Sequence, residues 1–486
     1  MININSVWIL LVCCCSFLKA QAQTDSNTWT PPPAPAYSFI KPSENSLSAT
    51  RQLDSVFYKL QNIRRTHSGR LNIIHIGDSH IQADGMTSVV REGMQSFFGD
   101  AGRGLVFPYQ LAGSNAPLDI RSTSNTSWKS NRLTFPDKPI ATGISGYGIH
   151  ANSQSATVTI GLKDMEGRQE RFNRMVFFLC NESVCYQLSD SGMSAPVTFY
   201  TQRNANNNSV VVNTDDLITG FRLARVNAPE NADYSFYGVS LEKRDTPGVL
   251  YHSIGVNGAR YDQYVQNDLF WDQLKELNGD LFIISLGTNE AQTPALNQQA
   301  FTANCAAFVQ MIHKIAPHAA IIITTPPGSY YRMKKPNKSV ESVAAALDNY
   351  CAASNITCWD LFKISSGMPG TISWKKTGLL GHDLVHFSSA GYKLQGALLL
   401  NALAKGYNQY IKLHPYKVAV VKPTPKPEIK AQKVQTEVQK ANYVRPAAKI
   451  QPTPQPQKPA AAPVPAPATE PATRPGSHIK VEYSDK

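Results

Sequence analysis

The sequence predicts an α/β fold in which helices cover both faces of a parallel β-sheet, with an all-β segment inserted into it. Short apolar runs alternate with helix-like stretches in residues 46–112 and again in residues 245–412. Between them, residues 113–244 contain short strand-like runs separated by Asn, Gly, Ser and Asp clusters, which is typical of a β-sandwich. With 486 residues and 42% hydrophobic composition, the chain is long enough for both parts and for tails.

The first predicted strand begins at Leu71 and stops at Gly77-Asp78-Ser79. An amphipathic helix over Leu53–Ile63 leads into it, and a helix over Thr87–Phe98 follows. Ser79 is therefore expected where a strand gives way to a helix, at the edge where open α/β sheets bind ligands. Taken alone, Gly-Asp-Ser is more simply explained by a helix N-cap and a turn, so a function for Ser79 depends on partners elsewhere in the chain.

The inserted segment, residues 113–244, is predicted to form the β-sandwich. Its aromatic side chains could form a sugar-binding face, although core packing explains most of them more simply. These aromatic residues are Phe177, Phe178, Phe199 and Tyr237. The predicted strands are Ala156–Leu162, Arg174–Leu179, Val184–Leu188, Val197–Thr201, Ser209–Val212, Gly220–Leu223 and Tyr234–Leu241.

The α/β pattern resumes after the inserted segment. The predicted strands are Val249–Ile254, Asp280–Leu286, Ala319–Thr325 and Ile356–Trp359, and the predicted helices are Ala295–Ile315, Val340–Ala352 and Ser389–Ala404. Polar residues follow two of these strands, at Gly255–Gly258 and Gly287–Glu290, and Gly381–His386 precedes the last helix. A packed core does not require such polar clusters, so they are candidates for a functional site.

Both ends of the sequence are predicted to lie outside the folded domains. Residues 1–22 resemble a secretory signal peptide, since the apolar run Val7–Leu18 is too short to span a bilayer and Ala20-Gln21-Ala22 offers small residues for cleavage. One departure is that no Lys or Arg precedes the run. Residues 23–45 are predicted to be a Pro-rich linker. No other segment is apolar and long enough to be predicted as a transmembrane span.

Residues 413–486 are predicted to be a disordered, basic tail. From Pro415 to the end, the chain has twelve Lys and Arg against five Asp and Glu, fourteen of its 32 prolines, and no apolar periodicity. This segment supplies more than half of the formal net charge of +12, which favours a polyanionic partner such as an envelope polymer or a membrane surface. A solvated spacer without a partner is the alternative. Secretion and the lack of interleaved aromatic residues disfavour nucleic acid.

Five cysteines follow the predicted signal peptide. Cys180 with Cys185, and Cys351 with Cys358, could each form a local disulfide in an oxidising compartment. Cys305 has the helical spacing of a core residue. A zinc site is disfavoured, because the CxxC spacing and neighbouring histidine pairs are missing.

The polar blocks match the needs of acyl transfer from an ester. Ser79 is the candidate nucleophile, and His386 is the best-placed base to take its proton. Asp383 lies three residues earlier, close enough to accept a hydrogen bond from the imidazole and fix its tautomer. The backbone N–H groups of Ser79 and Gly258 and the side-chain amide of Asn289 could stabilise the oxyanion of the tetrahedral intermediate.

Together, the four blocks resemble those of the SGNH/GDSL hydrolase superfamily in order and context. They are Gly77-Asp78-Ser79, Gly258, Gly287-Thr288-Asn289 and Asp383-Leu384-Val385-His386. The likeness covers residues 46–110 and 248–407 and implies a flavodoxin-like three-layer α/β/α fold. It also implies Ser79, Asp383 and His386 as a catalytic triad, Ser79, Gly258 and Asn289 as the oxyanion hole, and no metal or cofactor.

Two residues depart from the family pattern. His80 stands where many members have Leu, and Glu290 where many have Asp. Neither is expected to touch the reacting atoms, although His80 could shape the pocket. Among the other histidines, His75 is expected in the core, while His252 and His382 could line the pocket.

The position of the β-rich insert, between the first and second blocks, is similar to that in bacterial peptidoglycan O-acetylesterases, whose insert resembles a carbohydrate-binding module. This resemblance implies a secreted or periplasmic esterase that removes acetyl groups from the muramic acid 6-hydroxyl through an acetyl-serine intermediate. Its partner would be an acetylated polysaccharide. The alternatives are a lipase or other acylhydrolase, an acetyl-xylan-type esterase, or a non-catalytic glycan-binding envelope protein.

Overall fold

The computed structural model describes residues 27–135, 140–165, 167–179, 185–190, 195–200, 209–226, 234–293 and 296–415. Its helices are α1 Asp54–Thr66, α2 Ser79–Gln82, α3 Thr87–Phe98, α4 Tyr261–Val265, α5 Asp268–Leu274, α6 Thr288–Ala291, α7 Gln298–Ile315, α8 Lys338–Ser354, α9 Leu361–Ile364, α10 Gly367–Lys376 and α11 Ser389–Leu413. Its strands are β1 Arg70–Gly77, β2 Gly102–Val106, β3 Ile120–Thr123, β4 Lys129–Arg132, β5 Tyr147–Ala151, β6 Thr157–Leu162, β7 Phe172–Leu179, β8 Cys185–Ser189, β9 Val197–Tyr200, β10 Val210–Ile218, β11 Gly220–Val226, β12 Tyr234–Glu242, β13 Gly248–Gly255, β14 Leu281–Ser285, β15 Ala320–Thr324, β16 Tyr330–Tyr331, β17 Lys335–Pro336 and β18 Thr357–Trp359. The predicted signal peptide and residues 416–486 of the predicted tail lie outside the described residues.

A five-stranded parallel sheet forms the centre of the α/β part, in the order β13-β1-β14-β15-β18. Numbered along the chain within this sheet, the order is 2-1-3-4-5, the flavodoxin-like arrangement. Leu71 and Ile73 of β1 pack into a core with α1, α3 and α11, whereas Ile74 and Ile76 pack into a core with α7 and α8. Helices therefore cover both faces of the sheet, which confirms the predicted α/β architecture.

Two antiparallel sheets are formed by the strands that lie between β1 and β13 in the chain. One has the order β10-β7-β12-β5-β4, with β2 also paired to β12, and the other has the order β3-β6-β11-β8-β9. Aromatic rings pack between them: the centroids of Phe177 and Phe221 are 5.3 Å apart, and those of Tyr186 and Tyr234 are 5.5 Å apart. The two sheets thus face each other as in a β-sandwich.

The four aromatic residues considered for a sugar-binding face belong to this packing. Phe177 and Phe178 are fully buried, and Tyr237 is 6% exposed. Phe199 stacks on Tyr186 with ring centroids 5.5 Å apart. Core packing therefore accounts for Phe177, Phe178 and Tyr237, and the structure corrects the sugar-binding alternative for these three, whereas Phe199 is partly buried against the same core.

Strand β2 lies in a glycine-rich stretch for which no strand was predicted. It pairs with β12 and so adds a strand to the first antiparallel sheet. A Cβ atom at Gly104 would lie 2.1 Å from the carbonyl oxygen of Tyr251, so only glycine allows β2 to run this close to β13. The antiparallel region therefore begins before residue 113, the boundary suggested by the sequence.

A buried ionic cluster connects β2 to the α/β part. The Asp84 carboxylate accepts hydrogen bonds from Arg91 of α3 at 2.8 Å, Arg103 of β2 at 2.6 Å and Ser253 of β13 at 3.0 Å. Arg103 also pairs with Asp119. The side chains of Asp84, Arg91 and Arg103 are each 3% exposed or less. One carboxylate thus ties together three segments that are distant in sequence.

Residues 27–45 are packed against the α/β part rather than extended as a linker. Trp29 is 3% exposed, and its backbone N–H and carbonyl oxygen bond to the side chain of Asn408 in α11 at 2.9 and 2.7 Å. Phe39 and Ile40 are also buried. These apolar anchors lie among prolines, so the composition of the segment concealed them. The structure corrects the predicted linker over the part that it describes.

The two cysteines of the predicted Cys351–Cys358 disulfide are free thiols, although they are in hydrogen-bonding contact between α8 and β18. Cys185 is also a free thiol, and Cys180 lies outside the described residues. Cys305 is buried in α7, as its helical spacing predicted.

Helix α11 extends nine residues beyond its predicted end at Ala404, to Leu413. Tyr407, Tyr410 and Ile411 are buried along this extension, so packing against α1 stabilises it. Within the described ranges, none of the helices has both the length and the apolar character of a membrane span.

Candidate active site

The polar blocks meet at the carboxyl edge of the parallel sheet. Ser79 begins α2 directly after β1, and Asn289 lies in α6 after β14. Asp383 and His386 lie in the loop that precedes α11. Asp78 is the N-cap of α2, and its Oδ1 accepts a hydrogen bond from the backbone N–H of His80 at 2.9 Å. The cap therefore fixes the backbone turn that presents Ser79.

Ser79, His386 and Asp383 form a continuous chain of hydrogen bonds. Nε2 of His386 lies 2.8 Å from the Ser79 hydroxyl oxygen, and Nδ1 of His386 bonds to Oδ2 of Asp383. The other carboxylate oxygen of Asp383 accepts the backbone N–H groups of Val385 and His386 at 3.0 and 2.9 Å. With Nδ1 donating to Asp383, Nε2 is left to accept the serine proton.

The electrostatics of Asp383 favour its ionised form. Partial burial opposes ionisation, but hydrogen bonds from the His386 side chain and from two backbone N–H groups lower the pKa of Asp383 below its usual value. A carboxylate that stays ionised stabilises the imidazolium formed when His386 takes a proton. The arrangement is therefore suited to general base catalysis at neutral pH.

Gly258 and Asn289 border the same edge of the sheet. Gly258 has φ +82°, a left-handed conformation that favours glycine. The amide nitrogen of Asn289 donates to the carbonyl oxygen of Ala259 at 3.0 Å and to Oδ2 of Asp78 at 3.1 Å. Asn289 thus joins the Gly258 loop to the residue that precedes Ser79. Burial raises the pKa of Asp78 to about 7.

Gln82 was not singled out from the sequence, yet it holds the Gly258 loop in place. Its Oε1 accepts hydrogen bonds from the backbone N–H of Asn257 and from the Tyr147 hydroxyl, both at 2.9 Å. Its Nε2 donates to the Ser114 hydroxyl at 2.9 Å and to the Asn115 carbonyl oxygen at 2.8 Å. The only sequence signal was its place in α2, three residues after Ser79.

The strands of the antiparallel sheets and their loops also reach this edge. Nδ2 of Asn257 donates to Oδ1 of Asn115 at 2.7 Å, and the Thr134 hydroxyl donates to the Asn257 carbonyl oxygen at 3.3 Å. A Cβ atom added to Gly258 would lie 3.9 Å from the Thr134 methyl group. The inserted segment therefore contributes part of the wall around the Gly258 loop.

His80 packs directly behind the candidate base. Its ring centroid is 5.2 Å from that of His386, and its Nδ1 lies 3.0 Å from the Tyr392 hydroxyl. Burial lowers the pKa of His80 to about 3, so the ring is neutral at physiological pH. A neutral ring does not compete electrostatically with protonation of His386.

The other residues that the sequence analysis singled out lie either in the core or on the surface. His75 is buried between the Tyr251 and Ser285 hydroxyls, each at 2.7 Å, as expected of a core residue. His252 is fully buried, and burial lowers its pKa to about 3, so the structure corrects the suggestion that it lines the pocket. His382 is exposed in the loop before α11. Glu290 is buried and accepts the backbone N–H of Tyr261 at 2.9 Å.

Comparison with known proteins finds one family model that matches part of the chain and solved structures that are similar to it. Residues 218–394 match the model of the GDSL-like lipase/acylhydrolase family. This range contains Gly258, Asn289, Asp383 and His386 but begins after Ser79, which the hydrogen bond to His386 brings into the same site. Comparison with curated proteins finds no match.

Among solved structures, a peptidoglycan O-acetylesterase is similar over 77% of this chain and 99% of its own, with 21% identity and a TM-score of 0.61. A lipase/acylhydrolase from Enterococcus faecalis matches with 23% identity over 32% of this chain and 77% of its own, at a TM-score of 0.26. A GDSL-like lipase from Bacteroides thetaiotaomicron matches with 20% identity over 32% and 76%, at a TM-score of 0.25. The first of these shares the fold over most of the chain.

Proposed function

We propose that the chain is a secreted serine esterase that removes O-acetyl groups from a cell-envelope glycan, with peptidoglycan as the first candidate. The match of residues 218–394 to the GDSL-like lipase/acylhydrolase family supports a carboxylic ester hydrolase. The observation that supports the catalytic part is the unbroken hydrogen-bond chain from the Ser79 hydroxyl through His386 to Asp383. The Ser79 hydroxyl has a base to accept its proton, and His386 has a carboxylate that fixes its tautomer.

In the proposed mechanism, His386 Nε2 takes the Ser79 proton as the serine oxygen attacks the acetyl carbonyl carbon. The N–H groups of Ser79 and Gly258 and the amide of Asn289 stabilise the oxyanion of the tetrahedral intermediate. Protonated His386 then gives the proton to the sugar oxygen, which leaves as a hydroxyl and produces acetyl-Ser79. A water molecule, deprotonated by His386, attacks this ester. As the bond to the Ser79 oxygen breaks, His386 returns the proton to that oxygen, and acetate leaves with free Ser79 restored.

Asn289 is the residue of this oxyanion hole whose contribution is most directly tested. In the structure both N–H groups of its amide are donated, to the Ala259 carbonyl oxygen and to Oδ2 of Asp78, so one of them must turn to the oxyanion when it forms. We expect Asn289→Ala to lower kcat for p-nitrophenyl acetate by about 10²-fold to 10³-fold with a smaller change in KM, because the oxyanion forms only in the transition state. Asn62→Ala, on the surface of α1, is the matched control. Unchanged kcat in Asn289→Ala would remove Asn289 from the oxyanion hole.

The glycan assignment is supported by two features. The similar peptidoglycan O-acetylesterase is matched over almost its whole length, which includes more than the α/β part. In addition, Asn115 and Thr134 of the inserted segment contact the Gly258 loop, so a polymer bound there would also touch the insert.

The apolar run Val7–Leu18 supports secretion. The basic tail is proposed to hold the enzyme near an envelope polyanion.

Acetate release from a panel of substrates tests this proposal. The panel contains O-acetylated peptidoglycan, acetylated xylan and long-chain p-nitrophenyl esters, each incubated with the full chain. We expect the highest kcat/KM with acetylated peptidoglycan. A preference for xylan or for long acyl chains would replace the glycan assignment with an acetyl-xylan esterase or a lipase, and binding of glycan without acetate release would indicate a non-catalytic protein.

A further inference from the structure

A short basic hairpin lies between β15 and α8. It consists of β16 Tyr330–Tyr331, the turn Arg332–Lys334 and β17 Lys335–Pro336, and we call it the basic hairpin. Arg332, Lys334 and Lys335 are exposed. From residue 326 to residue 340 the sequence contains no Asp or Glu. The hairpin therefore forms a local concentration of positive charge.

Hydrogen bonds fix the basic hairpin to both sides of the candidate active site. The backbone N–H of Tyr330 donates to the carbonyl oxygen of Leu384, which lies between Asp383 and His386, at 2.8 Å. On the other side, Nε2 of Gln292 donates to the carbonyl oxygen of Tyr330 at 3.3 Å. Gln292 follows α6, the helix that contains Asn289. The hairpin is thus part of the rim of the site.

Further contacts continue this attachment at the base of the hairpin. Gln292 Nε2 lies 3.2 Å from the Ser329 hydroxyl, and Asn337 Nδ2 donates to the Ala291 carbonyl oxygen at 2.8 Å. Lys375 of α10 adds a further cation, with Nζ 5.0 Å from the centroid of the Tyr330 ring. These hydrogen bonds fix the base of the hairpin, whereas the charged side chains of its turn are exposed to solvent.

The charges of the turn are not neutralised by the residues that the structure describes. In the described part of the chain, no ion pair involves Arg332, Lys334 or Lys335. The Arg332 guanidinium instead lies 5.2 Å from the centroid of the Tyr331 ring. Unpaired cations beside a catalytic site raise the local concentration of anionic substrates and orient them.

The backbone conformation of the turn indicates that Arg332 and Met333 do not stabilise it. A hydrogen bond from the backbone N–H of Lys334 to the Tyr331 carbonyl oxygen, 3.1 Å long, closes a four-residue β-turn. Its two central residues, Arg332 and Met333, have left-handed φ values of +49° and +58°. Asn-Gly is the pair that such hairpin turns favour, whereas Arg and Met adopt this conformation at a cost in free energy. Met333 is also 57% exposed. A strained turn that exposes a cation and a large apolar side chain to solvent is typical of a ligand-binding site.

We propose that the basic hairpin binds carboxylate groups of the polymer next to the acetylated sugar, so that the enzyme prefers acetylated glycans with carboxylates over neutral ones. This inference rests on the proposed function and specifies its substrate class. Guanidinium and ammonium groups recognise carboxylates by charge-assisted hydrogen bonds. The carboxylates could belong to the acyl and peptide substituents of peptidoglycan or to uronic acids of an acetylated polyuronate, and the substrates below distinguish these two sources.

The main test compares the wild type with the triple variant Arg332→Ala, Lys334→Ala, Lys335→Ala. We expect KM for acetylated peptidoglycan to rise about tenfold, with kcat for p-nitrophenyl acetate unchanged, since three rim charges each contribute modestly to binding. KM for neutral acetylated xylan should not change. The triple variant Lys163→Ala, Lys314→Ala, Lys412→Ala removes the same charge from exposed positions elsewhere and should behave as wild type. A larger KM increase with acetylated polyuronate than with peptidoglycan would identify uronic acids as the source.

A second variant, Arg332→Asn with Met333→Gly, separates loss of binding from misfolding. It gives the turn its favoured residues, so we expect a higher Tm together with a severalfold higher KM for the carboxylate-containing polymer. Co-sedimentation of the Ser79→Ala forms with insoluble peptidoglycan measures binding without turnover. Equal binding and equal KM with and without the hairpin cations would overturn this inference alone. Absence of hydrolysis of any ester by the wild type would instead overturn the proposed function.

Discussion

Ser79→Ala is expected to lower kcat/KM for p-nitrophenyl acetate by about 10⁴-fold or more, because the variant has no nucleophile to accept the acetyl group. The Ser79 hydroxyl contacts His386 Nε2 at 2.8 Å, and His386 keeps its bond to Asp383 when that hydroxyl is removed. The loss should therefore be one of chemistry, with little change in stability or in substrate binding. Steady-state kinetics with p-nitrophenyl acetate, together with thermal unfolding of both proteins, checks this result.

Two further variants make the result specific to the proposed triad. Ser88→Ala removes a hydroxyl from α3 that makes a long hydrogen bond, 3.5 Å, to the Gly85 carbonyl oxygen, and it should retain activity. His386→Ala should lose activity to a similar extent, and combining it with Ser79→Ala should cost little more, because triad residues act as a unit. Residual activity close to wild type in Ser79→Ala would show that another group supplies the nucleophile.

The α/β part of the fold followed closely from the sequence because its signals are local. The apolar runs of β1, β13 and β14 are bounded by glycine and polar residues, and the predicted helix Thr87–Phe98 coincides with α3. Parallel strands place their carboxyl ends together, so residues that end separate strands meet in space. This explains why Ser79 and Asn289 could be proposed as neighbours before any contact was known. His386 ends no strand, and its place beside them was proposed from the chemistry of the Asp383–His386 block and from the family resemblance.

The features that the sequence did not predict depend on long-range contacts. Trp29 and Phe39 are isolated apolar residues among prolines. They are buried because they pack against α11 and neighbouring elements, which a sequence pattern does not show. Gln82 belongs to no motif, and its function follows from the positions of Asn257 and Tyr147, which are remote in the chain. Similarly, β2 was not predicted as a strand, because its two glycines are unfavourable for strands in general, whereas the close approach of Gly102 to β12 and of Gly104 to β13 requires them here.

The buried cluster around Asp84 has a consequence for stability that is comparable in size to the catalytic effects. Arg91 and Arg103 both direct their guanidinium groups to the Asp84 carboxylate, and the two Arg side chains are 3% and 1% exposed. Removing a carboxylate from such a cluster leaves positive charge in a low-dielectric environment, and the guanidinium groups cannot escape it by deprotonating. Arg103 retains Asp119, whereas Arg91 loses the only ion-pair partner it has among the described residues.

We therefore expect Asp84→Ala to lower the free energy of unfolding by about 3–5 kcal/mol, measured by urea denaturation at neutral pH. Asp272→Ala is the matched control, since its carboxylate lies 4.0 Å from Lys275 at an exposed ion pair, and it should cost no more than about 1 kcal/mol. Because Asp84 joins β2 and β13 through Arg103 and Ser253, the loss should also weaken the attachment of the antiparallel sheets. In this variant the hydrogen-exchange rates of the β2 amides should then increase more than those of the β1 amides. A decrease below about 1 kcal/mol, equal to the control, would mean that solvent reaches the guanidinium groups once the carboxylate is gone.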